Sequence, residues 1–398
     1  MKIAIFTPTY LPKIGGAEIF HHNLATRLSQ NGHKVTVILP RKFALALAQS
    51  DWQLNYQTAT FPTNVWSYFK RWPWLAYRLA NHHLDRLQKQ HRFDIWHAVM
   101  MYPAGLSLIN WASTRHIPHL VRSAGDDIIA ALDGSIGMLL NKKINRLVAA
   151  QIPRASTLIA LSESIENEFL KLGVPQKNIL QIPNAVDLDR FAPADKSLRK
   201  KIRKRHQLAA ETFLFLSVGR NHSQKNYPTL LDALEKLAQT NSDFQHLIIG
   251  RDTDKLTPEI KKRKLQNHIR THEIHASHAN DFPPQELVDL YRSADAFVMP
   301  SILEGFSTAL LEAAAAGLPI ITSDGPGCKD FVRNGKDGII SPVNDAEKLA
   351  KNLKSLLENE DLRKDYHKRA LARAQEFSWP KIVETYENSY HQITQKFS

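Results

Sequence analysis

Two glutamates stand eight positions apart in Pro300-Ser301-Ile302-Leu303-Glu304-Gly305-Phe306-Ser307-Thr308-Ala309-Leu310-Leu311-Glu312, and their surroundings give them different work. An apolar run ends at Pro300, a glycine-containing loop follows, and a helix is predicted from near Ser307 to Gly317. The first N–H groups of such a helix, at Ser307, Thr308 and Ala309, have no partner within it and suit a phosphate. Glu312 then falls about 7–8 Å along the axis, a spacing that suits a ribose whose diphosphate sits at the helix mouth. Glu304 remains on the loop, where its carboxylate can accept sugar hydroxyls. An isolated pair at this spacing would be read as surface residues; the run Ala313-Ala314-Ala315-Ala316-Gly317-Leu318-Pro319 marks a buried helix instead.

A cationic pair lies upstream in Gly219-Arg220-Asn221-His222-Ser223-Gln224-Lys225-Asn226. Arg220 falls at the end of an apolar run and Lys225 at the start of the next helical pattern. The fork of an arginine and the point charge of a lysine could stabilise a departing diphosphate without a metal. The same residues could also be solvated loop ends. Near the N-terminus, Gly15-Gly16 opens a helical pattern, either as a cradle for an anion or as a tight turn before a helix.

Other chemistries lack their signatures. No G-x-G-x-x-G follows a strand and no G-x-x-x-x-G-K-[ST] occurs, so dehydrogenase and P-loop readings have no support. The single cysteine, Cys328, excludes an intramolecular disulfide and a cysteine-rich zinc site. His272, His275 and His278 recur every third residue in a predicted strand and loop rather than at helical ligand spacing, so no metal is expected.

The elements that must position these residues alternate. In the first half the apolar runs Lys2–Phe6, Val35–Leu39, Asp94–Val99, Ile117–Val121, Thr157–Leu161 and Ile179–Ile182 are separated by helical patterns such as Ala17–Gln30, Trp74–Gln90 and Glu163–Leu172. A second series follows: strands Phe213–Val218, His246–Ile249, Ala296–Met299 and Pro319–Thr322, with helices Asn226–Gln239, Pro284–Arg292 and Thr308–Ala316. Three helices, 345–358, 362–377 and 379–395, close the chain. Strand–helix alternation of this kind predicts an α/β protein with two doubly wound parallel sheets. The boundary is expected near 183–195, giving domains 1–185, completed by 379–398, and 186–378.

The chain has 398 residues, 43% hydrophobic and 23% charged, enough for two cores. Its net charge is +13, and residues 1–190 hold 21 Lys+Arg against 12 Asp+Glu, a balance of +9. Such a charge calls for nucleic acid, an anionic membrane or phosphorylated small molecules. No nucleic-acid-binding signature appears, so a nucleic-acid partner is not expected. The segment Val65–Arg78 mixes Trp, Tyr and Phe with Lys and Arg, and Leu139–Arg146 adds basic and apolar residues; these suit either a domain core with exposed cations or reversible contact with anionic lipid. The run Leu198–His206 could do the same or be a solvated helix. Without a signal-peptide or membrane-spanning pattern, the expected location is cytoplasmic, either free or peripheral at the inner face of the plasma membrane.

Taken together, the E-x7-E pair, the Gly-Phe after Glu304, the A-A-A-G-L-P helix end, the G-R-x4-K segment, Pro183-Asn184-Ala185-Val186-Asp187 and the Gly15-Gly16 loop resemble the retaining glycosyltransferases of family 4, with the GT-B fold. The resemblance implies two Rossmann-like domains facing across a cleft, a donor-binding C-terminal domain, an acceptor-binding N-terminal domain and a last helix that crosses back. It implies catalytic roles for Arg220, Lys225 and Glu304. Donor binding would fall to Gly15, Gly16, Asn184, Gly219, Gly250, His278, Gly305, Phe306, Ser307, Thr308 and Glu312, and the acceptor side to His97, Arg122, Asp126 and Asp127, with a structural hydrogen-bonded role for His97 and a capping role for the aspartate after Gly125 as the alternative readings.

The implied reaction moves a hexose or N-acetylhexosamine from a nucleoside-diphosphate sugar, a substrate rather than a cofactor, to a glycan or lipid-linked saccharide in cell-surface polysaccharide synthesis. One position departs from the family pattern. Arg122-Ser123-Ala124-Gly125-Asp126-Asp127 has Ala124 where an active-site histidine is expected, which keeps open a degraded transferase acting as a sugar-binding or assembly partner. A nucleotide-sugar epimerase is the other alternative.

Overall fold

The structure is a computed structural model and describes residues 1–131, 133–241, 243–274 and 282–397. Its contacts divide the chain into two units, Met1 to Asn184 joined by residues from Pro380 on, and Ala185 to Trp379.

The first unit is built on seven parallel strands: β1 (Lys2–Phe6), β2 (Lys34–Pro40), β3 (Gln57–Phe61), β4 (Ile95–Val99), β5 (His119–Arg122), β6 (Leu158–Ala160) and β7 (Ile179–Gln181). Their order is β3-β2-β1-β4-β5-β6-β7. Central β4 is buried along its whole length, as expected of a strand covered by helices on both faces. The helix Trp379–Gln395 completes this unit. Its Tyr386 and Tyr390 hydroxyls meet Arg122 Nε at 2.9 Å and His97 Nδ1 at 2.9 Å.

The second unit carries β8 (Phe213–Val218), β9 (Phe244–Ile249), β10 (Ile269–His272), β11 (Ala296–Met299), β12 (Ile320–Ser323) and β13 (Ile339–Ser341), in the order β10-β9-β8-β11-β12-β13. The helices Tyr227–Ala238 and Ala346–Glu358 contribute Leu230, Leu234 and Leu353 to a core that includes Phe215, Ile248 and Val298 from the sheet.

Both sheets start at a central strand, wind outward, then return and wind the other way. Strand order therefore reverses between β1 and β4 and again between β8 and β11. In such sheets the crevice beyond the carboxyl ends at the reversal is where ligands bind. In the second unit that rule selects the loops after β8 and β11, which carry Gly219–Asn226 and Pro300–Ser307.

Several elements are not announced by the sequence pattern, among them β13, the edge strand β3 and the helix Arg41–Ala48. Edge strand β3, Gln-Thr-Ala-Thr-Phe, buries only Phe61 fully and has no apolar run to announce it. The helix Arg41–Ala48 follows β2 directly, leaving no connecting loop to mark its start.

Candidate active site

The two loops at the reversal of the second sheet are fastened to each other. Gly219 N continues the ladder to Ile249 O at 2.8 Å, and the Tyr227 hydroxyl donates to Gly219 O at 2.7 Å. Gly250 has φ +149, and a Cβ there would lie 2.2 Å from Gly219 O, so this crossing admits only glycine. Gly219 in turn leaves room for the Lys225 stem, whose Cε would be 2.8 Å from an added Cβ. Gln224 joins the second loop twice: its carbonyl accepts Ile302 N at 2.8 Å and its Nε2 donates to Leu303 O at 2.6 Å.

This fastening brings Lys225 Nζ to Glu304 Oε1 at 2.6 Å, with both side chains largely buried. Arg220, at the end of β8, is exposed. Behind Glu304 the turn Gly325-Pro326-Gly327 fixes the loop: Glu304 N donates to Pro326 O at 2.9 Å. A Cβ on Gly327, at φ +76, would fall 1.9 Å from Glu304 O. The Gly-Pro-Gly punctuation was a readable turn signal for this support.

The helix Thr308–Ala315 begins beside Glu304 without a side-chain cap, because the Ser307 hydroxyl turns to Met299 Sδ at 3.3 Å. Its leading amides remain available to an anion. One turn on, burial pushes the Glu312 carboxyl up to about 7, opposed by a hydrogen bond from Tyr291 and by the Arg190 charge. Tyr291 and Arg190 escaped the sequence reading because neither belongs to a local pattern with Glu312. Phe306, expected to meet the donor through its backbone, packs its ring 5.4 Å from Phe377 and 5.9 Å from Phe331 in the core. Gly305, buried, and Thr308, partly open, flank it on the loop and helix start. His278 lies outside the described residues, and His272 pairs with Glu286 at 2.8 Å.

Two family models match the chain: Glycosyltransferase Family 4 over residues 14–190 and Glycosyl transferases group 1 over residues 199–373. The chain belongs to glycosyltransferase family 4. It is 25% identical over 385 residues, covering 95% of this chain and 96% of the relative, to N,N'-diacetylbacillosaminyl-diphospho-undecaprenol alpha-1,3-N-acetylgalactosaminyltransferase of Campylobacter jejuni. It is 32% identical over 181 residues, 44% of each chain, to UDP-Gal:alpha-D-GlcNAc-diphosphoundecaprenol alpha-1,3-galactosyltransferase of Escherichia coli. Among solved structures, Anabaena HepE in complex with UDP superposes with a TM-score of 0.79 at 19% identity, covering 98% of this chain and 100% of that one. The fold is GT-B.

For this family-4 glycosyltransferase, several first-unit expectations need correction. His97 is fully buried; its Nδ1 is bonded to Tyr390, its ring is stacked 5.5 Å from Tyr386, and burial and Arg122 push the imidazole down to about 3. Arg122 is 1% exposed, bonded to Tyr386 and to Asn184 Oδ1, with its guanidinium 4.0 Å from the centre of the Phe20 ring. Both anchor the last helix rather than face an acceptor, and Asn184 Oδ1 accepts from Arg122.

Asp127 is fully buried and accepts from the amides of Met101, Ala124 and Gly125 and from the Ser123 hydroxyl, so it shapes its loop. Asp126 is the partly exposed carboxylate of that segment. At Gly15-Gly16 the expected anion cradle is met by the chain itself. Glu18, paired with Lys13 at 3.1 Å, folds back so that its Oε2 would lie 2.5 Å from a Cβ on Gly15. Beside it, Gly16 opens onto free space.

Proposed function

We propose that the protein is a retaining, metal-independent glycosyltransferase that moves a hexose or N-acetylhexosamine from a nucleoside-diphosphate sugar to a glycan or lipid-linked saccharide in cell-surface glycan synthesis. The observation that carries this reading is the Lys225–Glu304 contact at 2.6 Å beside an uncapped helix start, with Glu312 one turn along the same helix. The diphosphate takes the Lys225 charge and the leading amides, and Arg220 adds a second cation from the end of β8. Glu312 accepts from the ribose and Glu304 from the sugar hydroxyls. The bond between the anomeric carbon and the diphosphate oxygen breaks as the acceptor oxygen bonds on the same face, and the acceptor's proton passes to the departing diphosphate. Two cations and a helix dipole supply the countercharge such a step needs. The undecaprenol-linked substrates named for the two relatives support a lipid-linked acceptor.

Membrane contact from the cytoplasmic side belongs to the same proposal. Trp66 and Phe69 are core, but Trp72 and Trp74 are 43% and 64% exposed, next to exposed Lys70, Arg71 and Arg78. Exposed Leu140, Lys142, Lys143 and Arg146 add a second basic, apolar stretch. In the run Leu198–His206, Arg203 is 3% exposed and held by Asp295 and the Ser293 carbonyl, while Lys200, Lys201, Lys204 and Arg205 are exposed. Among the described residues no helix is long and apolar enough to cross a membrane.

The test is incubation with nucleoside-diphosphate sugars and undecaprenyl-diphosphate-linked acceptors, with product anomeric configuration read by NMR. Transfer with retention, lost in Glu304→Ala, is expected. Sugar altered without any acceptor would make the protein an epimerase. Donor binding without turnover would make it the sugar-binding relic that Ala124 allows.

A further inference from the structure

The second unit has a cavity that the donor residues do not touch. It is an open pocket of about 430 Å³, lined by Ala294 and Asp295, which precede β11, and by Leu318 and Pro319, which precede β12. It therefore opens at the amino ends of these strands, the sheet edge opposite Gly219, Gly250 and Pro300. Its volume is that of a small-molecule site, roughly 300–1,000 Å³.

Its charge is one-sided. Five cations line it, Arg199, Arg292, Arg363, Lys364 and Lys368, against the carboxylates Asp295 and Glu360. Asp295 is already neutralised inside the fold: it takes Arg203 NH2 at 2.6 Å, Leu214 N at 2.8 Å and a contact from Arg199. Glu360 is paired with Lys364 at 2.8 Å. That leaves Arg292 and Lys368 with no hydrogen bond or ion pair among the described residues. Arg292 is partly exposed, so the outer nitrogens of its guanidinium are open to a ligand that enters the cavity. The opposite wall is apolar, with Pro193, Leu318 and Pro319. Gly317 keeps the floor open: a Cβ at its φ of +71 would strike His367 Cε1 at 2.4 Å, and His367 Nδ1 instead donates to Gly317 O at 2.7 Å.

We propose that this cavity is a second anion site, taking a small phosphorylated molecule of sugar-phosphate size. The phosphate meets Arg292 and Lys368, and the body of the ligand lies on the proline and leucine wall. Monosaccharide dimensions suit the volume.

Calorimetric titration of the full chain with glucose 6-phosphate and with inorganic phosphate tests this. Saturable binding of glucose 6-phosphate is expected, tighter than that of phosphate. It should weaken about tenfold or more in Lys368→Glu and in Arg292→Gln, as loss of a charge-assisted contact implies, and persist in Lys225→Ala. Lys368 is exposed, so its reversal leaves folding intact even if Arg292→Gln does not. Binding abolished by Lys225→Ala but kept in Lys368→Glu would move the anion to the donor site and overturn the proposal. Equal affinity for phosphate and glucose 6-phosphate, or no saturable binding, would overturn it as well.

Discussion

Because burial holds the Glu312 carboxyl up at about 7 against 4.5 for the free side chain, the folded protein keeps a proton that the unfolded chain has already released. Stability from this group is full below about 4.5, falls as the pH rises through 7, and is lost above it. Urea unfolding of wild type and Glu312→Gln should therefore differ between pH 5 and pH 8, the variant gaining about 1–3 kcal/mol relative to wild type at the higher pH. Nucleotide binding should run the other way, since ribose hydroxyls donate best to an ionised carboxylate. Affinity measured by titration is expected to rise through pH 7 in wild type and to be weak and flat in Glu312→Gln. Lys225→Ala should lower affinity for a nucleoside diphosphate about tenfold or more, as loss of one charge-assisted bond implies, and affect a nucleoside monophosphate much less. The positions of Lys225, Glu304, Ser307 and Glu312 at loop ends and along one helix were legible because each lies within a few residues of a strand end or helix start. His97 and Arg122 misled because the tyrosines that bury them lie 293 and 264 positions away.

Strand ends set the geometry at the next scale. Ala in place of Gly250 would put its Cβ 2.2 Å from the Gly219 carbonyl. Gly250→Ala should push apart the loop that carries Lys225, reducing transfer by tenfold or more while the Tm falls by several degrees. On the other unit, Tyr386→Phe removes the hydroxyl that accepts from buried Arg122. A loss of about 1.5–3 kcal/mol in chemical denaturation is expected, as for a hydrogen bond to a charged group. The central strands could be read from continuous apolar runs such as Phe213–Val218. Edge strand β3 could not, because its outer face has no partner and its residues alternate polar with small. Gly325-Pro326-Gly327 announced a turn, but only its packing on Glu304 gives it a function.

For the molecule as a whole, the +13 charge is concentrated toward the first 190 residues, which carry exposed Trp72 and Trp74. Sedimentation with vesicles rich in anionic lipid should recover the protein at low salt and release it as ionic strength rises. Trp72→Ser combined with Trp74→Ser should weaken recovery without changing nucleotide binding. The route of the chain has a consequence for biogenesis. Arg122 and His97 are sealed into the interior of the first unit only when Tyr386 and Tyr390 arrive, so during translation a ribosome must pass the whole second unit before the half made earlier can settle. A nascent chain stalled ahead of residue 380 would hold the Arg122 guanidinium beside Phe20 without its Tyr386 partner and leave this face of the sheet uncovered, a natural substrate for chaperones and proteases.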